Sequence, residues 1–258
     1  MEQTRFTFFS PVDTPDFEVR ISGVARASWP EFMLNDPIAD LCWEYLYSSF
    51  PEYQFALQDT QTGKVAAVGN SVALNWNEDV SDLPDGGWDW AFQQSVSDYQ
   101  NGLRANTQCA IQIMIHPDYR GQGLSSMLVQ KMRNIGQEKG FQRLIAPVRP
   151  NLKSMYPLIE IDQYIHWQTA QQLPFDPWLR VHARAGAKII KPCHHSMEIR
   201  ASSLDWEKWT GMKFPESGKY VIPGGLVPME MDKPNDLGIY NEPNVWTVHD
   251  LRDTVQTD

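Results

Sequence analysis

The chain has little of what would classify a protein at sight. Its 258 residues include only three cysteines, Cys42, Cys109 and Cys193. Odd in number and far apart, they form neither a disulfide framework nor the paired spacing of a structural zinc site, and they fit a reducing compartment. No stretch approaches the roughly 20 consecutive apolar residues that cross a bilayer, and the N-terminal "MEQTRFTFFSPVDTPDFEVR" lacks the apolar segment of a secretory leader. Basic residues are also scarce: 22 Lys and Arg stand against 32 Asp and Glu, a formal net charge of −10. Such a balance excludes a broadly basic, sequence-independent nucleic-acid surface. A cytoplasmic protein with no membrane span and no nucleic-acid partner is expected.

Tryptophan, by contrast, is plentiful. There are ten, with groups at Trp76, Trp88 and Trp90, at Trp167 and Trp178, and at Trp206 and Trp209. Burial in the core or at an interface is the first reading of such residues, and an aromatic-lined cleft for an acyl chain or an apolar acceptor is the second. Their abundance also favours a homodimer slightly.

Periodicity and turn signals divide the chain into alternating elements. Pro37 to Phe50 has Pro at a first helical position and apolar residues at helical spacing. Gln54 to Trp76, with its turn at Gly63, reads as a hairpin, and Asn77 to Gly87 reads as a loop. A helix is predicted over Trp88 to Leu103, a strand over Gln108 to Ile115, and a second helix on the face Leu124, Met127, Leu128, Met132 and Ile135, closing near Gly140. Arg143 to Val148 is a short strand. Asp176, Pro177 and Gly186 bracket a further helix as N-cap, first position and end. "AKIIKPCHHSMEIR" supplies one or two strands, "GKYVIPGGLVPMEM" (Gly218 to Met231) a β-rich run, and the remainder reads as a Pro/Asn-rich tail. Neither a repeat nor a linker interrupts the chain, so one elaborated domain over residues 1–258 is expected.

The informative stretch is "IHPDYRGQGLSSMLVQKM", Ile115 to Met132. A strand, a glycine-rich turn and a helix N-terminus make an anion site from backbone alone, because the first helical N–H groups are unpaired and the dipole favours negative charge there. No Gly-Lys-Ser/Thr follows, and only Gly121 and Gly123 are present, so this is neither a P-loop nor a dinucleotide fingerprint. The stretch resembles motif A of the GCN5-related N-acetyltransferases, the GNAT superfamily, with its Arg/Gln-x-x-Gly-x-Gly/Ala after a strand and a proline. Arg120 fills the first position and Gly123 the fourth, while Ser125 stands where the family prefers Gly or Ala. The resemblance extends over about Pro37 to Arg200, with insertions at Asn77 to Asn106 and Asn151 to Phe175. Residues 201–258 lie outside it as an extension that completes or covers the sheet.

The resemblance implies an α/β (α+β) fold, a mixed central sheet flanked by helices. It implies acetyl-CoA as co-substrate, its pantetheine arm paired to the backbone of Ile113, Met114 and Ile115. The pyrophosphate would lie on the loop Arg120, Gly121, Gln122, Gly123, Leu124, Ser125 and Ser126. A main-chain N–H near Ile115 would polarise the thioester carbonyl. Where family members place a tyrosine to protonate the departing thiolate, this chain has His182; the family's CoA-contacting asparagine falls on Phe175 and is absent. The implied reaction is direct attack by the amine of a small-molecule acceptor. Transfer of a longer acyl group, or acyl-CoA binding without turnover, remain as alternatives.

The general base is not assignable among Glu160, Asp162, His166, Asp176 and Glu198. His194 and His195, adjacent on a strand, should point to opposite faces, so no metal site is expected. Arg149 and Lys153 either bind an acceptor carboxylate or are surface charges, the second being favoured. His116, before Pro117, is read as structural.

Overall fold

The computed structural model describes residues 4–26 and 29–252. Among them nine strands form one sheet. β1 (Phe6–Phe9), β2 (Gln54–Asp59), β3 (Val65–Leu74) and β4 (Thr107–Ile115) are successively antiparallel. The predicted β2–β3 hairpin turns at Gly63, at a φ of 71°. Helix α1 (Phe17–Arg26) covers one side of this half, laying Phe17, Ile21 and Val24 on Ala56, Val68 and Met114.

The stretch predicted as one helix from Pro37 is broken. α2 (Pro37–Cys42) starts on the Asp36 carboxylate, which accepts from the N–H groups of Ile38 at 2.8 Å and Ala39 at 2.9 Å, a cap contributing about 1 kcal/mol. The backbone then tightens, with Leu46 N–H bonding Trp43 O and Tyr47 N–H bonding Glu44 O, before α3 (Tyr45–Ser48). α4 (Gly87–Gln100) and α5 (Leu124–Glu138) match their predicted spans closely, and Leu124, Leu128, Met132 and Ile135 of α5 are buried in the main core.

β5 (Arg143–Val148) is the one parallel neighbour. It pairs with β4 only at Thr107↔Arg143, Gln108↔Leu144 and Cys109↔Ile145, after which the two strands part. On its other edge β4 carries a bulge: Asn70 faces Gln112 and Ser71 faces Ala110, so Ile111 has no partner in β3. The short α6 (Ile161–Tyr164) and then α7 (Pro177–Arg184) follow. α7 is built as its sequence predicts. Asp176 caps it by accepting from Trp178 N–H at 2.9 Å and Leu179 N–H at 3.2 Å, Pro177 opens it, and Gly186 takes a φ of 85° just beyond it.

β6 (Lys188–Ala201), α8 (Ser203–Thr210), β7 (Gly218–Tyr220), β8 (Met229–Asp232) and β9 (Leu237–Asp250) complete the chain. The expected Pro/Asn-rich tail is in fact β9, a strand of 14 residues in the middle of the sheet. One of its edges pairs first with β8 and then with all six residues of β5, while the other pairs with β6. Pro243 is tolerated inside so central a strand because the ladder is interrupted there: β6 bulges between Cys193 and Met197, and Pro243 falls between the stretches bonded to β8 and β5. The sheet therefore runs beyond residues 37–200 at both ends, with β1 added to one edge and β9 set between β5 and β6.

The same β6 bulge overturns the alternation expected of the two histidines. His195 Nδ1 lies 2.7 Å and His194 Nδ1 3.1 Å from Asp85, and His194 Nε2 lies 2.8 Å from Asp162. Hydrogen bonds to these carboxylates raise the His194 pKa. Among the described residues no group of three or more His, Cys, Asp or Glu is arranged to hold a metal ion.

Candidate active site

The parting of β4 from β5 opens a cleft of about 430 Å³. Ala110 to Ile113 of β4 form one wall, and Ala146 to Val148 of β5, with Arg149, form the other. Because β4 pairs with β3 on its far edge and with β5 only up to Cys109, its backbone from Ala110 to Ile115 has a free edge along the cleft. Such an edge can pair with an extended ligand. The indole of Trp88 holds the bulge in place, donating to Ile111 O at 2.7 Å.

At the open end of β4 the chain makes a short helical turn at Pro117–Tyr119, where His116 accepts from Asp118 N–H at 3.3 Å, a structural role as expected. Gly121 and Gly123 then adopt φ values of 77° and 76°, and a Cβ on either would meet nothing within 4 Å. Glycine is needed here for conformation, not for crowding by the protein, and the space above the backbone is open. No side chain caps α5, so the N–H groups of Leu124, Ser125 and Ser126 face that space without helical partners. Arg120, Gln122 and Ser126 are exposed, whereas Leu124 is buried and anchors the helix. The residues assigned to acyl-CoA from sequence thus run along the chain from the cleft wall at Ile113, through the end of β4 and the glycine turn, to the start of α5. The side chain of Met114 is buried beneath α1 and its sulfur accepts from Trp29 Nε1 at 3.0 Å, so only its backbone faces the free edge.

Four tryptophans line the cleft: Trp29, Trp43, Trp88 and Trp178. Tryptophans are thus found both in the cleft wall and in the core, where Trp206 and Trp246 are fully buried. Arg149 also lines the cleft and Lys153 is fully buried, which corrects the expectation that they are surface charges. Arg149 is ion-paired to the buried Glu242 and donates to Gly224 O at 2.7 Å. Tyr240 donates to the same Glu242 carboxylate and accepts from Leu226 N–H at 2.7 Å. Lys153 donates to Leu226 O at 2.6 Å and Tyr156 O at 3.0 Å, and burial lowers its pKa to about 8. With the Arg149 charge matched by Glu242, the exposed Asp40 leaves the charged lining negative on balance.

His182 lies on α7, 3 % exposed, and its ring lines the cleft against Trp178. Its Nδ1 is 3.0 Å from Nε2 of His249 on β9, whose Nδ1 is 3.1 Å from Nη1 of Arg133 on α5. That same Nη1 donates to Ala185 O at 2.9 Å. Desolvation lowers the His182 pKa to about 4; desolvation, with the electrostatics of the adjoining His182 ring and Arg133 guanidinium, lowers that of His249 to about 3 against the opposing pull of the Ala185 carbonyl. Both rings are neutral at physiological pH. None of the five residues weighed as general base lines the cleft. Asp176 is consumed by structure: besides capping α7 it accepts from Leu152 N–H at 2.8 Å and from the Tyr164 hydroxyl at 3.0 Å. Asp162 pairs with His194 and Glu198 with Arg200. Sequence reasoning missed Asn244, Glu242 and His249, all on β9; a long strand read as a tail conceals any role for its side chains.

Comparison with known proteins agrees with this geometry. Residues 27–160 match the family model described as the acetyltransferase (GNAT) family. The chain is 31 % identical over 249 residues to the arginine N-acetyltransferase avaD of Aspergillus versicolor, covering 86 % of this chain and 85 % of that protein. Among solved structures, the loading GNATL domain of CurA from Lyngbya majuscula superposes with a TM-score of 0.64 at 17 % identity, covering 96 % of this chain and 98 % of that one. The GphF GNAT-like decarboxylase in complex with isobutyryl-CoA gives a TM-score of 0.55 at 15 % identity, covering 96 % and 100 %. These two likenesses establish the fold. The chain belongs to the GNAT family of acetyltransferases. It is an acyl-CoA-dependent N-acetyltransferase that uses acetyl-CoA as co-substrate.

Proposed function

We propose that the chain acetylates an amine of a small cationic acceptor of the arginine type. The observation that carries this reading is the lining of the cleft: four tryptophans and the Asp40 carboxylate surround the place where β4 and β5 part. Tryptophan faces attract a guanidinium or ammonium, contributing about 0.5–2 kcal/mol each according to desolvation. The formal charge of −10 adds a field that gathers cations. The specificity named for the relative from Aspergillus versicolor supports the same class of acceptor.

In this reading the residues divide the work as follows. The backbone of Ile113, Met114 and Ile115 pairs with the pantetheine arm. The loop from Arg120 to Ser126 receives the pyrophosphate on main-chain N–H groups at the positive end of α5. The acceptor amine, made neutral by losing one proton to solvent, attacks the thioester carbon; the C–S bond breaks as the intermediate collapses, and the second proton lost by nitrogen goes to the departing thiolate, which leaves as the free thiol. His182 is the side chain placed to act on the charge that develops in the cleft.

The test is thiol release from acetyl-CoA with arginine, agmatine, lysine and an arylalkylamine that has no second cationic group, each product checked by mass for one added acetyl group. Arginine-type acceptors are expected to give the highest kcat/KM. A preference of tenfold or more for the arylalkylamine would refute the assignment of the acceptor, and no thiol release with any amine would refute acetyl transfer in this cleft.

A further inference from the structure

We propose that His249 and Arg133 are positioning residues that lock His182 into the tautomer with its proton on Nε2, so that a neutral imidazole holds a hydrogen-bond donor toward the cleft. The inference rests on reading the cleft as the acyl-transfer site and assigns roles to two residues distant from it in sequence.

Each link follows from what the groups can do. A guanidinium has donors and no acceptor and stays charged. Nη1 of Arg133, 3.1 Å from His249 Nδ1, therefore donates to it, and that nitrogen carries no proton. A neutral imidazole has one N–H, which His249 then carries on Nε2. This nitrogen lies 3.0 Å from His182 Nδ1, so it donates there, and the single proton of His182 resides on Nε2. Among the described residues no group bonds His182 Nε2, and the ring borders the cleft. The chain is buried throughout: Arg133 is 1 % exposed, His249 0 % and His182 3 %. Water therefore does not compete for these bonds, and leaving any of the groups unpaired there is costly.

A neutral imidazole N–H is a poor proton source but a good hydrogen-bond donor. His182 then stabilises the charge on the thioester oxygen or the departing sulfur without giving up its proton, in the manner of a preorganised oxyanion donor. This differs from the proton-donor role that the family resemblance implies for position 182. Three elements converge to set it: α7 carries His182, β9 carries His249 and α5 carries Arg133. The β9 extension thereby becomes part of the catalytic apparatus.

Long-range ¹⁵N–¹H correlation spectra of the full-length protein, labelled in its six histidines, read the tautomers directly. His182 and His249 should both be Nε2–H forms, unchanged between about pH 5 and about pH 8. A proton on Nδ1 of His182, or titration near the ordinary histidine pKa of about 6.5, would overturn the proposal. Kinetics give an independent readout. His249→Leu breaks the chain and is expected to lower kcat by about 10- to 100-fold, a part of the about 10²–10³-fold that losing such a donor costs, with KM for acetyl-CoA within about twofold. His249→Gln, whose carboxamide can accept from Arg133 and donate to His182, should keep most of the activity. Equal activity in the folded Leu and Gln variants would contradict the positioning role. If the Leu variant does not fold, the spectra of the unmodified protein decide the matter. Those spectra report the tautomer whether or not acetyl transfer is found, so failure of this proposal is distinguishable from failure of the functional one.

Discussion

Replacing His182 with alanine is expected to lower kcat by about 10²–10³-fold while CoA affinity stays nearly unchanged. The imidazole borders the cleft beside Trp178. Its loss removes a donor that matters when charge builds on the reacting group, and leaves the backbone proposed to receive the phosphates untouched. His182→Gln should lose less, because a carboxamide N–H still offers a donor. A tyrosine at this position should also restore part of the rate, a phenol being the group that the family resemblance places there. The measurement is steady-state turnover on the preferred amine, with calorimetry of CoA binding in parallel. Wild-type kcat in a folded alanine variant would mean that His182 only packs.

Gly123→Asp is expected to weaken CoA binding by about 100-fold. Gly123 sits at a φ of 76°, immediately before α5, with no protein atom near a Cβ. The backbone conformation disfavours any side chain, and aspartate is among the residues that tolerate it best, so the fold should survive. The larger effect is on the ligand. The new carboxylate would occupy the open space over the first N–H groups of α5 and bring negative charge to the point where a pyrophosphate must sit. A loss near 3 kcal/mol corresponds to about two orders of magnitude in Kd. Gly123→Asn separates the causes: it matches aspartate in size and in tolerance of this backbone conformation without the charge, and should weaken CoA binding much less. An unchanged Kd in the folded aspartate variant would place the phosphates elsewhere.

Local chemistry was legible in the sequence, and long-range pairing was not. The apolar spacing named Leu124, Leu128, Met132 and Ile135 of the buried face of α5, though Met127, placed on the same face, is exposed, and Asp176-Pro177 with Gly186 named the start and end of α7, because caps and periodicity act within a few residues. The conformation of the glycine loop was readable for the same reason: two glycines between a strand and a helix state their own geometry. β9 was not readable. Its Pro243 and asparagines are turn formers in isolation, and only the coincident gaps in β6, β8 and β5 make a proline acceptable there. With β9 went Glu242, Asn244 and His249, and so the pairing that turns Arg149 from a surface charge into a wall of the cleft. The two adjacent histidines failed for a related reason, since a bulge in β6 cancels the alternation from which opposite faces are inferred. His182 could be named from the motif, but its state depends on a residue 67 positions away that no local pattern announces.

The most direct test of the central claim is a crystal structure of the protein with CoA bound. The pantetheine arm should run in the parting of β4 from β5 along Ile113 to Ile115, with the pyrophosphate over Gly121 to Ser126. The sulfur should lie beside the cleft-facing edge of His182, within reach of the tryptophans that receive the acceptor. CoA bound elsewhere on the molecule, with that parting empty, would contradict the account.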